Sequence, residues 1–200
     1  MSKLKWIFRG VLALIVALLL WYTLPQHDVV RITEVYNRIT TVSWANSAFY
    51  ASPDSGTAEA TNGRDIRFIS AAFSDGAPMV YRNEDTGWIW PPYFKYDSSN
   101  LQAVASSLKG EKWVMVTHYG WRIPILSIFP NAIAIREVSG PDYTYFPWLN
   151  LVIIALLLGL AFWIRAMWLQ FRERMVDPAV AEVQEAGDRT KGWFRRLFRR

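Results

Sequence analysis

The chain contains no cysteine. That excludes disulfides, thiolate metal sites and cysteine nucleophiles. Any exported part must therefore hold together by packing alone. Histidine is almost as scarce. Only His27 and His118 could act as imidazole ligands or bases, which leaves little room for zinc chemistry. Catalytic signatures are missing too: there is no P-loop and no G-x-G-x-x-G, and no G-x-S-x-G elbow. No catalytic residue, metal ligand or cofactor site is expected. The few candidates have bland readings that outweigh the functional ones.

Apolar residues are plentiful, at 52% of the 200 residues, the upper end for a soluble protein. They are concentrated in two blocks. The first is "WIFRGVLALIVALLLWYTL", residues 6–24. A bilayer core about 30 Å thick needs about 20 helical residues, and this block nearly supplies them. Arg9 lies one turn in, where its side chain can snorkel to the headgroups. Trp6 and the Trp21–Tyr22 pair mark the two ends as an aromatic belt would. A cleaved signal peptide is the rival reading. It needs small residues before a cleavage site, and Trp21, Tyr22 and Leu24 stand there instead. The second block is residues 146–168, "FPWLNLVIIALLLGLAFWIRAMW", with Trp148 and Trp163 towards its ends and Arg165 closing its uncharged part.

Charge is equally uneven. Residues 25–146 hold ten Lys/Arg against twelve Asp/Glu, whereas the two ends hold twelve basic against five acidic residues. Basic residues flank the outer ends of both blocks, so the positive-inside rule places both termini in the cytoplasm. The expected organisation is a cytoplasmic N-terminus (1–5), a first span (6–24), a periplasmic β-rich domain (25–145), a second span (146–168) and a basic cytoplasmic tail (169–200). A basic pI of this origin reflects membrane topology, so no nucleic-acid partner is expected.

In the middle, "VVRITEVYNRIT", "RDIRFISAAF" and "APMVYRNED" read as three strands by alternation and turn signals. "DSSNLQAVASSLKG" reads as a helix with Leu101, Val104, Ala105 and Leu108 on one face and Gly110 as its stop. "KWVMVTHYGWRI" and "AIAIREV" read as two further strands. Three strands, a helix and two strands is the element order of an OB-like five-stranded barrel with one helix. An SH3-like or irregular α+β domain stays open, because element order alone does not fix topology. The fold class expected is thus an α+β membrane protein with two transmembrane helices flanking this domain.

The densest stretch is "RNEDTGWIWPPYFKYDS", residues 82–98. Trp88, Trp90, Pro91, Tyr93, Phe94 and Tyr96 either fill one end of the domain's core or anchor a protein partner. His118, near a strand end, reads first as a hydrogen-bonded structural residue. An envelope enzyme using it would need a nearby carboxylate. At the C-terminus, Asp177, Pro178 and Gly187 mark out a short helix. After it, Trp193, Phe194, Leu197 and Phe198 share one helical arc, opposite Arg195, Arg196, Arg199 and Arg200. That pattern suits a helix lying on anionic lipid headgroups.

Four segments, "LPQHDVVRI", "GRDIRFI", "PMVYRNEDTGWIWPPYFKYDS" and "HYGWRIPILSIFPNAIAIR", resemble a family of small bacterial membrane proteins known only as a domain of unknown function. They cover roughly residues 24 to 138 and leave the basic tail outside. The resemblance implies a bacterial inner-membrane protein and carries no catalytic residues. The expected function is a non-enzymatic accessory or scaffold protein docking on a larger membrane complex or on the envelope. The alternative is a periplasmic ligand-binding or sensing module coupled through the spans.

Overall fold

The structure is a computed structural model that describes residues 2–42, 44, 46–50, 63–86, 93, 95–180 and 184. The chain divides into two compact units, Met1–Phe146 and Pro147–Arg200.

The first unit begins with α1 (Ser2–Thr23). At 1.5 Å per residue its 22 residues extend about 33 Å, enough to cross a bilayer core. Apart from Tyr22 near its C-terminal end, none of its residues whose burial is described is buried. Five strands and a helix follow: β1 (Gln26–Thr41), β2 (Gly63–Ala72), β3 (Pro78–Arg82), α2 (Ser98–Ser107), β4 (Trp113–Tyr119) and β5 (Asn131–Glu137). β1 is long because it serves two neighbours. Residues 26–31 pair antiparallel with β4, and residues 31–41 pair antiparallel with β2. A register shift between Ile32 and Glu34 leaves Thr33 as the extra residue. Such a bulge bends a strand sharply enough to change partners. Val30, Ile32, Ile69, Ala71, Met79, Tyr81, Val114, Val116 and Ala132 form the main core, and α2 covers it with Leu101 and Ala105. A smaller cluster joins Tyr50, Ile66 and Phe68, with Phe129 packed against it.

The five strands close on themselves as a barrel in the order β1-β2-β3-β5-β4, because β1 pairs with both β2 and β4. The closure is narrowest between β3 and β5, the one parallel pairing. There Arg82 faces Asn131, and Arg82 N donates to Pro130 O at 2.9 Å. Pro130 has no N–H to donate in return. The Asn131 side chain takes up the backbone of Glu84 beside this seam, accepting its N–H at 3.0 Å and donating to its carbonyl at 3.1 Å.

The join between α1 and the sheet is tight. A helix leaves its last four carbonyls without partners of its own. Here Leu20 O accepts from Leu24 N at 2.8 Å, and Trp21 O accepts from Gln26 Nε2 at 3.0 Å. Tyr22 O accepts from Gly120 N at 2.9 Å, and Thr23 O from the Tyr93 hydroxyl at 2.6 Å. Three of these four donors belong to the sheet domain. The Tyr22 ring packs edge-on against Phe49, Tyr119 and Trp121.

In the second unit, α3 (Trp148–Phe171) is again long, apolar and unburied. The expectation that Asp177 caps a separate helix is corrected. Asp177 has helical angles and lies inside one helix running from Trp148 to Val180. A π-turn at Arg172–Val176, closed by Asp177 N–H on Arg172 O, precedes Pro178. Pro178 has no N–H to donate and crowds the preceding turn. A single widened turn inside an α-helix is the usual form that a π-helix takes. Gly187 and the residues 193–200 lie outside the described residues.

Gly120 has φ +99°, and a Cβ there would stand 3.5 Å from the Tyr22 ring. Gly120→Ala is expected to lower stability by about 1–2 kcal/mol, the cost of a left-handed conformation for a residue with a Cβ. Thermal unfolding of the full chain in detergent, followed by near-UV circular dichroism, checks this.

Candidate functional site

The aromatic-proline stretch leaves β3 at Arg82 and enters α2 at Ser98. Trp88, Trp90, Pro91 and Phe94 lie outside the described residues, but both ends of the stretch are described. They are locked together. Thr86 N donates to Lys95 O at 3.0 Å, and Lys95 N donates back to the Thr86 hydroxyl at 3.2 Å. The eight intervening residues therefore start and finish at a single clamp.

Beneath the clamp lies a buried polar platform. Lys95 is only 4% exposed. Its ammonium donates to Asn83 Oδ1 and, at 2.7 Å, to Ala132 O. Asn83 Nδ2 donates to Ser98 O at 2.8 Å and to Gln102 Oε1 at 2.7 Å. Asp85 caps the start of α2 in place of the adjacent Asp97, accepting from Ser98 N at 2.8 Å and from its hydroxyl at 2.7 Å. Arg67 reaches the same hydroxyl at 2.7 Å. Arg82, 2% exposed, pairs with Glu84 at 2.6 Å and lies 5.1 Å above the Tyr50 ring. Two buried cations are thus held by carboxylate, amide and ring at the root of one loop. Burial pulls the Lys95 ammonium down to about 8. The charges of Asp85, Asp97 and Glu84 oppose that shift, and Arg82 adds to it.

Of the proposed anchors, Tyr93 is turned into the domain, and Tyr96 is exposed. The Tyr93 ring stacks on Tyr119 at 4.6 Å while its hydroxyl holds the end of α1. Burial, and then the neighbouring Tyr119, raise the Tyr93 hydroxyl above its ordinary range.

His118 finds the carboxylate that a catalytic reading would require. Its Nε2 lies 2.9 Å from Asp28 Oδ2, and the same oxygen accepts from the Tyr81 hydroxyl at 2.7 Å. The chain crosses β4, β1 and β3. Burial alone would raise the Asp28 carboxyl. The hydrogen bond and charge of His118, with the bond from Tyr81, hold it below its ordinary value. An ionised Asp28 only accepts, so Nε2 carries a hydrogen. His118 is 3% exposed on its side chain, and its Nδ1 meets no partner among the described residues. The arrangement ties three strands together and is oriented like a base, with His118 itself closed to solvent and Asp28 partly exposed. His27, next to Asp28, stacks on Tyr145 at 3.8 Å. Burial first, then the His118 and Arg136 charges, lower its imidazole, and Asp28 opposes them. Among the described residues, no group of three or more His, Asp or Glu is placed to hold a metal.

These features define a class: a small mixed-sheet domain with one helix, carried between two helices long and apolar enough to cross a membrane. The chain belongs to the family described as "Protein of unknown function (DUF1523)", whose model matches residues 1–172. The match includes both apolar stretches and stops at residue 172, so most of the basic tail lies outside it. The chain is also 36% identical, over 142 residues, to an uncharacterised protein of Haemophilus influenzae (strain ATCC 51907 / DSM 11121 / KW20 / Rd), covering 70% of this chain and 78% of that protein. No solved structure matches it.

Lys95→Met removes the donor to Asn83 Oδ1 and Ala132 O, and is expected to destabilise the domain by about 3 kcal/mol through unpaired buried acceptors. The pH dependence has a definite sign. With the folded value lowered from 10.5 to about 8, the unfolded chain holds the extra proton in between. Stability from this group therefore rises as pH rises through that window. Unfolding midpoints compared between wild type and Lys95→Met across the window isolate the contribution. The variant should lack the rise.

Proposed function

We propose that this is a two-pass protein of the bacterial inner membrane, with both termini cytoplasmic and the mixed-sheet domain periplasmic. It acts as a non-enzymatic accessory or scaffold subunit that docks on a membrane-protein partner through the aromatic-proline loop. The sidedness is supported by the basic residues at the outer ends of both spans. The basic tail rests on anionic headgroups of the cytoplasmic leaflet through Arg195, Arg196, Arg199 and Arg200, with Trp193, Phe194, Leu197 and Phe198 towards the acyl chains. Nucleic acid is no part of this reading, since the domain is slightly acidic.

The observation that carries the docking role is the clamp and its platform. Burying a lysine and an arginine at a loop's root is costly unless the geometry is fully paired. The return is a fixed root, and a root held still reduces the ordering cost of binding through Trp88, Trp90, Pro91, Phe94 and Tyr96. A second reading, a sensing module coupled through the spans, is favoured by one observation. The His27–Asp28–His118 group starts four residues after α1 ends, and His27 stacks on Tyr145 just before α3.

Wild type and Trp88→Ala/Trp90→Ala, extracted in native lipid discs and analysed by mass spectrometry with thermal unfolding in parallel, separate the two. A stoichiometric partner lost from a variant that still unfolds cooperatively supports docking. Wild type arriving without a partner overturns docking and supports sensing. Single cysteines at Asp75 and Arg172, labelled from outside intact cells, test the sidedness. Labelling of position 172 and not 75 would overturn it.

A further inference from the structure

Two loops beside the end of α1 carry large apolar side chains that are exposed among the described residues. Trp44 is 93% exposed and Ile125 is 95% exposed. Leu126, next to Ile125, is exposed as well. Isolated exposed apolar residues are ordinary. These three are not isolated, because the loops are tied together. Asn46 Nδ2 donates to Leu126 O at 3.0 Å, and the Tyr50 hydroxyl donates to Ser127 O. Within the second loop, Ile123 and Ile128 exchange backbone bonds at 2.9 and 3.1 Å, so Pro124–Leu126 is the tip of a small hairpin.

Both loops are also tied to α1. Gly120 N binds Tyr22 O, Trp121 lies 6.4 Å from Trp21 between ring centroids, and Phe49 packs on Tyr22 and Trp121. Trp21 is itself exposed at the helix end. Their composition differs from the rest of the domain. Residues 41–50 carry no charge, and residues 120–130 carry only Arg122. The loops at Asp75 and at Lys109, Glu111 and Lys112 are charged. An apolar patch with aromatic side chains, lacking acidic residues and continuous with the end of a spanning helix, is the chemistry of a bilayer interface.

The geometry points to a lipid-binding surface. Trp44, Ile125 and Leu126 enter the leaflet from which the C-terminal end of α1 emerges, and the mixed-sheet domain lies seated on the bilayer. The surface is a protein–lipid contact distinct from the spans and from the aromatic-proline loop. It rests on the reading that α1 crosses the membrane. The partner is the interfacial zone of a phospholipid leaflet. A second copy or another protein over the same patch would exclude lipid from it.

The absence of native cysteine makes the test clean. Ile125→Cys, Glu111→Cys and Ile15→Cys are each labelled with an environment-sensitive fluorophore in the full chain. They are reconstituted in vesicles of phosphatidylethanolamine and phosphatidylglycerol, with nitroxide lipids as quenchers. Glu111 precedes β4, at the opposite end of that strand from Tyr119, about 20 Å away at 3.3 Å per residue. Position 125 is 95% exposed, so its substitution does not threaten folding. The expected result is strong quenching at positions 15 and 125, the latter deepest with a nitroxide near the headgroup, and little at 111. Quenching at 15 without quenching at 125 overturns this inference and leaves the spanning reading intact. Absence of quenching at 15 overturns both.

Discussion

A helix that leaves a membrane must find donors for its last four carbonyls, and at a bilayer surface water is an uneven supplier. In this protein one of the four, Leu20 O, is met within the turn, and the other three are met by Gln26, Gly120 and Tyr93. Each donor constrains a different part of the domain. Gln26 starts β1, Gly120 directly follows β4, and Tyr93 stands beside the root of the aromatic-proline loop. The helix end therefore acts as a hub, and only Leu24 and Pro25 separate it from β1. Such a join transmits the orientation of the helix to the sheet with little slack.

The buried polar platform follows from the same geometry. Once Tyr93 is held against Thr23 and Tyr119, Lys95 lies two residues away and points inwards, where Asn83 Oδ1 and the Ala132 carbonyl receive it. Asn131 pins Glu84 on the other side and donates to the Tyr119 hydroxyl at 3.1 Å. The polar groups link into one network. A network of this kind restricts the arrangements open to its members in proportion to how fully they are paired; Arg82 Nε alone of this group meets no partner among the described residues. It also explains why β5 spends Asn131 on a loop and joins β3 at a single pair.

Much of this fold was legible. Alternation in "VVRITEVYNRIT" and "KWVMVTHYGWRI", and the Leu101–Ala105 face stopped by Gly110, place strands and helix close to where they lie, because period and punctuation are local signals. Closure was legible only in outline. Element order suggests a barrel, but the bulge at Thr33 that lets β1 serve two neighbours and the single β3–β5 pair depend on contacts that no local pattern shows. Asp177–Pro178 looked like a helix start, because the pair is one in water; a continuous helix overrode it with a π-turn. The site was half legible. The run around Trp88 and Trp90 stands out by composition. Lys95 reads as an ordinary solvated charge, and nothing local says it is buried. His118 was visible, but its partner Asp28 is 90 residues away. The β1–β4 register that joins them appears only in the folded chain.

Site-resolved amide hydrogen exchange of the full chain in lipid discs reads the Gly120 N–H bond to Tyr22 O that joins the end of α1 to the sheet. The Gly120 amide is expected to exchange as slowly as those of Val114 and Val116 in β4. Exchange at the rate of an unbonded loop amide, with β4 still protected, would mean that the domain swings free of the helix and that this bond does not hold the two together.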